Sequence, residues 1–64
     1  MLIKLIEFRK KNNLTINSMA KKIGVSISFY EKVERGERNP SYNFIRLFKK
    51  AFPIVDANDI FFGN

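Results

Sequence analysis

The stretch GVSISFYEKVERGERNP, residues 24–40, has the pattern of a short helix that begins after a tight turn and ends at a second glycine. Gly24 stands where a preceding helix would stop in the left-handed conformation, and Ser26 is a suitable N-cap for a helix over 27–35. That helix then stops at Gly36. A short helix, a three-residue turn and a preceding helix are therefore predicted at the centre of the chain.

Outward from this centre, apolar residues recur at helical spacing in four further segments, and no stretch alternates with period two. The predicted helices besides 27–35 are 2–12, 16–23, 42–52 and ANDIFF at 57–62. Their predicted N-caps include Thr15, Ser41 and Asp56, with Asp59 placed to reach back as in a capping box. Predicted to face the core are Met19, Ala20 and Ile23, and Phe44, Ile45, Phe48, Ala51 and Phe52. The sequence predicts an all-α domain of five short helices over 1–64.

The composition restricts the function. The chain has no cysteine and no histidine, which excludes disulfides, thiolate zinc sites and imidazole chemistry, and no cluster of acids with a nucleophile–base pair is apparent. We therefore expect no enzyme, metal site, cofactor or small-molecule substrate. Twelve Lys and Arg against six Asp and Glu leave a net charge of +6, which favours a polyanionic partner. No apolar run approaches the ~18 residues of a membrane span, and the charged start is unlike a secretory signal, so we expect a cytoplasmic protein.

The second and third predicted helices are joined by residues 24–26 alone, and so short a link forces a sharp helix-turn-helix crossing. Such a crossing needs a small residue at the closest approach, a residue tolerant of positive φ in the turn, and apolar residues that pack back from the third helix. The residues that meet these needs are Ala20, Gly24, Val25, Tyr30 and Val33.

The run LTINSMAKKIGVSISFYEKVERGERNPS, residues 14–41, resembles the DNA-binding domain of the phage Cro and cI repressors and their bacterial family. That family usually has Leu-Thr, Leu-Ala, Gly-Val-Ser, Ile-Glu-x-Gly and Asn-Pro-Ser at this spacing. The corresponding residues here are Leu14-Thr15, Met19-Ala20, Gly24-Val25-Ser26, Val33-Glu34-Arg35-Gly36 and Asn39-Pro40-Ser41. The resemblance extends to Leu5, Phe8 and Arg9 and to VDANDIFF, and implies a lambda-repressor-like fold.

Two positions depart from the family pattern. Ile16 stands where the family usually has a glutamine that helps to hold a DNA phosphate. Tyr30 replaces an apolar Ile or Val, and its ring is expected to pack while its hydroxyl reaches the edge of the helix.

The resemblance implies that helix 27–35 lies in the major groove of double-stranded DNA. This placement would explain why apolar and hydroxyl side chains stand together at the start of the helix. Ile27 is expected to touch a thymine methyl, Lys32 to donate to guanine, and Ser28 to bond several bases. Glu31 either accepts from cytosine N4 or repels wrong sites, and Phe29 either lies along a sugar or packs under the first helix. The expected phosphate contacts are Thr15, Asn17, Lys21, Ser26, Arg35 and Arg38. We expect Lys22, Lys49 and Lys50 to be solvated.

Arg9 falls on the predicted inner face of the first helix, where a charge needs a partner. In the resembling family an arginine and a glutamate at the positions of Arg9 and Glu34 form a partly buried pair. We therefore expect these two residues to bond each other; the alternative is two separate solvated charges.

The favoured function is a Cro-like transcriptional regulator that binds operator DNA as a homodimer and is controlled by its own concentration, because the chain leaves no room for a second domain. Phe61 and Phe62 are candidates for the dimer seam, although either could be core. The alternative is an antitoxin-like interaction module whose DNA binding is autoregulatory.

Overall fold

The computed structural model describes residues 1–62, and it forms helices in five segments with no strand among those residues. The helices are α1 (Ile3–Lys11), α2 (Ile16–Ile23), α3 (Ile27–Arg35), α4 (Tyr42–Ala51) and α5 (Ala57–Phe62). The predicted all-α fold of five short helices is confirmed. No helix in this part of the chain is both long and apolar enough to cross a membrane.

Side-chain hydroxyls begin the three central helices. Each accepts a hydrogen bond from the backbone N–H three residues further on, which satisfies one of the donors that the first turn leaves unpaired. The pairs are Thr15 with Ser18 at 3.0 Å, Ser26 with Phe29 at 3.1 Å and Ser41 with Phe44 at 3.1 Å. All three predicted N-caps are therefore confirmed.

Three helix boundaries differ from prediction by one residue, the first being the start of α1 at Ile3 instead of residue 2. α1 ends at Lys11 because the chain turns at Asn12 and then takes a positive φ of 57° at Asn13. α4 ends at Ala51 because Phe52 precedes Pro53, whose ring disfavours helical ψ in the residue before it.

The first turn of α5 also differs from prediction. Asp56 Oδ1 accepts from the N–H of Asn58 at 3.0 Å, as a cap should. The Asp59 carboxylate, however, accepts from Lys4 Nζ at 3.1 Å instead of reaching back to close a capping box. Aspartate is one methylene shorter than the glutamate that the motif prefers, and α1 packs beside α5, so a lysine is the nearer partner.

The core fills the space enclosed by the five helices. Its buried apolar residues are Leu5, Met19, Ala20, Ile23, Tyr30, Val33, Phe44, Phe48, Ala57, Ile60 and Phe61. The predicted inner face of α2 is fully buried. Of the five residues predicted to face the core from α4, Phe44 and Phe48 are buried, whereas Ile45, Ala51 and Phe52 are half-buried.

Aromatic contacts at its two ends determine the direction in which α4 runs. At its beginning, Phe44 lies 5.8 Å from Phe29 and 6.3 Å from Tyr30, centroid to centroid. Just past its end, Phe52 meets Phe8 edge to face at 5.0 Å. α4 therefore runs from α3 towards α1.

Phe61, one of the two residues predicted at a dimer seam, is only 9% exposed. Its ring packs edge to face against Phe44 at 5.9 Å and Phe48 at 5.1 Å. Burial of this ring against two others outweighs any role on the surface, so the assignment of Phe61 to a seam is wrong. Phe62 is 66% exposed.

Candidate nucleic-acid interface

The turn between α2 and α3 has the geometry that its sequence predicts. Gly24 has φ 93° and ψ 32°, and the N–H groups of Gly24 and Val25 both donate to the carbonyl of Ala20, at 2.8 and 3.1 Å. A Cβ added at Gly24 would meet nothing within 4 Å, so the positive φ alone favours glycine here. The turn places α3 across α2 with its first residues at the surface.

α3 has one buried and one outward face. Tyr30, Val33 and Glu34 are buried, whereas Ile27 is 46% exposed and Ser28 is exposed. Lys32 lies half-buried on the boundary between the two faces. Ile27 and Ser28 thus place an apolar and a hydroxyl side chain side by side on the surface at the start of α3, where both remain exposed.

A shallow recess of about 450 Å³ lies where the start of α3 meets the side of α2. It is lined by Asn17, Lys21, Val25, Ser26 and Ile27. Three predicted phosphate contacts and one predicted base contact therefore share one surface. Thr15 lies nearby on the chain, but its hydroxyl donates to Ser18 Oγ at 2.9 Å, so its proton is already in use.

The other predicted phosphate contacts lie where α3 ends. Arg35 is shared between two carboxylates, Glu31 at 3.4 Å and Glu37 at 3.5 Å, so it would have to exchange partners to reach a phosphate. Arg38 lies over the ring of Phe29, 6.0 Å from its centroid, in a cation–π contact.

These contacts show where the Phe29 ring packs within the domain, while its contact with a sugar stays a prediction. The ring packs on Phe44 of α4 and supports Arg38, and it does not lie under α1.

A buried network holds the inner face of α3. Arg9 Nε donates to Glu34 Oε2 at 2.6 Å, its Nη2 lies 3.3 Å from Oε1, and its Nη1 donates to the carbonyl of Leu14 at 3.0 Å. The Tyr30 hydroxyl donates to Glu34 Oε2 at 2.6 Å. The side chains of Arg9 and Glu34 are only 12% and 6% exposed. The Glu34 carboxylate accepts from three donors and ties α1 to α3, while Arg9 also holds the loop after α1 through Leu14.

The contacts within this network raise the pKa values of Arg9 and Tyr30. The hydrogen bond to Glu34 raises the pKa of Arg9 despite burial. Burial, reinforced by the hydrogen bond to Glu34, raises the pKa of the Tyr30 phenol well above its ordinary value. Both groups therefore keep their protons in the folded state across the physiological range.

Two features of this network were missing from the sequence prediction. The Tyr30 hydroxyl was expected at the edge of the helix, whereas it is buried and bonded to Glu34. The sequence did contain a sign of the bond between Tyr30 and Glu34, because residues four apart lie on the same face of a helix. The backbone N–H of Leu2 also donates to the carbonyl of Glu34 at 2.9 Å, and no sequence pattern indicated that bond.

The sharp α2–α3 crossing, the exposed tip of α3 and the flanking basic residues define a DNA-binding helix-turn-helix protein. A family model described as helix-turn-helix matches residues 5–59. The chain therefore belongs to the Cro/cI-type helix-turn-helix family of DNA-binding regulators. No curated protein and no solved structure matches the chain significantly.

Proposed function

We propose that this protein is a sequence-specific transcriptional repressor that binds operator DNA as a homodimer, with α3 in the major groove. The observation that carries the proposal is the outward face of α3, where Ile27 is 46% exposed beside Ser28 while the inner face is locked into the core. A nine-residue helix is about 13 Å long, and the major groove of about 12 Å width admits one α-helix.

The proposed base readers differ in what they recognise. Ile27 supplies an apolar contact for a thymine methyl, and Lys32 supplies a donor for guanine O6 or N7. Ser28 can bond several bases and contributes little discrimination. The Glu31 carboxylate is held by Arg35, so its proposed role is to repel sites that place an acceptor opposite it.

The proposed phosphate contacts form two flanks. Asn17, Lys21 and Ser26 line the recess at the start of α3, with Thr15 at the N-terminus of α2. Arg35 is the last residue of α3, and Arg38 lies in the loop after it. Contacts at both ends of a reading helix would fix its register on the duplex, while the base contacts set specificity. Arg38 is the stronger of the two end contacts, because Arg35 is already paired with two carboxylates.

Selection of bound sites from a pool of random duplex DNA tests this proposal. Wild-type protein should enrich a near-palindrome. Lys32→Ala should relax the preference at one base position at a cost of about 1–3 kcal/mol, and Ile27→Ala should do so at a thymine. Lys10→Ala, an equal charge change away from α3, is the control and should keep the wild-type motif. If both α3 variants select the wild-type motif, α3 is not the reader.

The proposed dimer seam lies at α5 and the start of α1. With Phe61 in the core, Phe62 remains exposed and follows directly on two residues that line a recess of about 350 Å³. That recess is lined by Met1, Leu2, Ile3, Lys4, Glu7, Ile60 and Phe61. Ile3 is 63% exposed. Sedimentation with a selected duplex should show two chains on half-sites about 10 bp apart, and Phe62→Ser should weaken that assembly. One wild-type chain per duplex would contradict the dimer.

The same apolar surface favours a second candidate function, an antitoxin-like module whose main partner is another protein. An exposed Phe62 beside an apolar recess suits either a second copy or a different protein. The two differ in the free protein, because the repressor should self-associate through Phe62, whereas the antitoxin-like module should stay monomeric and co-purify with a defined partner at fixed stoichiometry.

A further inference from the structure

The positive charge of this protein is not concentrated on its reading helix. Residues 27–38 contain three acidic and three basic side chains and are therefore neutral overall. Residues 1–26 carry six basic side chains against one acid, a net +5 out of the total of +6. Most of the excess charge must therefore act somewhere other than at α3.

Five lysines gather at the ends of three helices and form what we call the rear lysine cluster. Its members are Lys10 and Lys11 of α1, Lys22 of α2, and Lys49 and Lys50 of α4, each in the last turn of its helix. The edge-to-face contact of Phe8 with Phe52, at 5.0 Å, brings the ends of α1 and α4 together. Lys22 Nζ lies 6.0 Å from the centroid of Phe52, which adds the end of α2.

The rear lysine cluster lies away from α3. Phe44 contacts α3, whereas Phe52 is eight residues further along, or about 12 Å of helical rise. The protein is only 24 × 22 × 22 Å across. A duplex held by α3 therefore leaves this surface open.

Helix dipoles alone do not account for the cluster. Three helix C-termini present roughly −1.5 elementary charges in total, against five lysines. All five lysines are exposed, and within residues 1–62 none forms an ion pair. Of the nearby acids, Asp59 pairs with Lys4, and Glu7 lies one turn before Lys11. A surplus of about three positive charges remains.

The composition of the cluster indicates the class of its partner. Protein interfaces favour aromatic residues and arginine and are depleted in lysine. The exposed charged side chains in the last turns of α1, α2 and α4 are all lysines, and Lys22 Nζ lies over the half-buried ring of Phe52. Lysine ammonium groups are flexible point charges that lack the planar, two-pronged donor set of arginine, and the last turns that carry them contain no exposed apolar residue. Such a surface suits the regularly spaced phosphates of a nucleic acid.

We propose that the rear lysine cluster binds a second DNA segment without regard to sequence, so that protein bound to its operator captures another duplex. The inference rests on the proposed function only for the identity of the first duplex. Such a contact would hold the protein near DNA while it transfers between segments. If four lysines engage, log K for capture falls with log salt at a slope of about −3.6, roughly 50-fold between 50 and 150 mM.

A two-duplex capture assay tests the proposal. A selected duplex is fixed to beads, loaded with protein, and offered a dye-labelled 20-bp duplex of unrelated sequence. Wild-type protein should retain the labelled duplex with the stated salt dependence. Lys49→Gln/Lys50→Gln should lower retention at least 5-fold while its affinity for the selected duplex changes less than 2-fold.

The matched control is Lys4→Gln/Arg46→Gln, which removes the same charge outside the cluster, from the half-buried Lys4 and the exposed Arg46. Retention by this control should stay within 2-fold of wild type. No capture by wild type, an equal loss in the control, or a parallel loss of affinity for the selected duplex would each overturn the proposal. If no duplex can be selected, the proposed function fails, and capture is then measured between two unrelated duplexes.

Discussion

Removing one partner of the buried pair between Arg9 and Glu34 should destabilise this domain severely. Arg9→Ala would leave the Glu34 carboxylate, 6% exposed, with only the Tyr30 hydroxyl as a side-chain donor. Glu34→Ala would leave a guanidinium that is 12% exposed without its carboxylate, and a buried phenol without an acceptor. Breaking a buried ion pair in this way typically costs about 3–5 kcal/mol.

This cost is comparable with the whole stability of a small domain, which is about 5 kcal/mol or slightly more. The pair is shielded from solvent, so the reduction that applies to surface ion pairs does not apply here. The network also predicts a third effect. Replacing both charges by apolar residues, as in Arg9→Met/Glu34→Leu, should recover much of the loss, and adding Tyr30→Phe should recover more because the phenol otherwise lacks its acceptor.

Urea unfolding followed by circular dichroism measures these effects. Arg46→Ala is the control, since Arg46 is exposed and its one hydrogen bond within residues 1–62 is to Asn43 on the same helix, at 2.7 Å. Its loss should cost under about 0.5 kcal/mol. The single variants at Arg9 and Glu34 should together cost far more than the double variant. Small effects that simply add would refute the argument, because they would mean that neither charge depends on the other.

Three further outcomes are expected. Burial raises the pKa of Tyr30, so only the unfolded phenol ionises near pH 10. The contribution of Tyr30 to the free energy of unfolding should therefore be complete below that pH and fall by about 1.4 kcal/mol per pH unit above it. Urea melts from pH 9 to 11 should show this fall in the wild type and not in Tyr30→Phe. Gly24→Ala should cost about 1–2 kcal/mol for its positive φ, and Gly36→Ala should cost more because its Cβ would also lie 3.0 Å from Met1 N; equal urea midpoints would contradict this. Arg38→Ala should weaken all duplexes alike and flatten the salt slope by roughly one; an unchanged slope in a salt titration would remove Arg38 from the phosphate contacts.

The local features of this fold followed from the sequence. Ser and Thr before apolar periods marked the starts of α2, α3 and α4, and Gly24 marked the turn, because capping and positive φ depend on one residue and its nearest neighbours. The family pattern over residues 14–41 similarly indicated a helix-turn-helix with an outward tip at Ile27. These are properties that the chain encodes within a few residues of each site.

Other features depended on how the helices pack. The sequence did not distinguish the exposed Phe62 from the buried Phe61, because both lie at the end of the same short helix and only contact with Phe44 and Phe48 separates them. Asp59 likewise bonds Lys4, 55 residues away, instead of its own helix.

The surroundings of α3 show the same division. The sequence placed Arg9 on an inner face, and the family resemblance paired it with Glu34, but only the tertiary structure adds the Tyr30 hydroxyl to the same carboxylate. It also decides that Arg35 is occupied by two acids while Arg38 lies on Phe29. The reason is physical: a side chain's periodicity determines which face it occupies, whereas its partner is whichever group another element brings within hydrogen-bond distance.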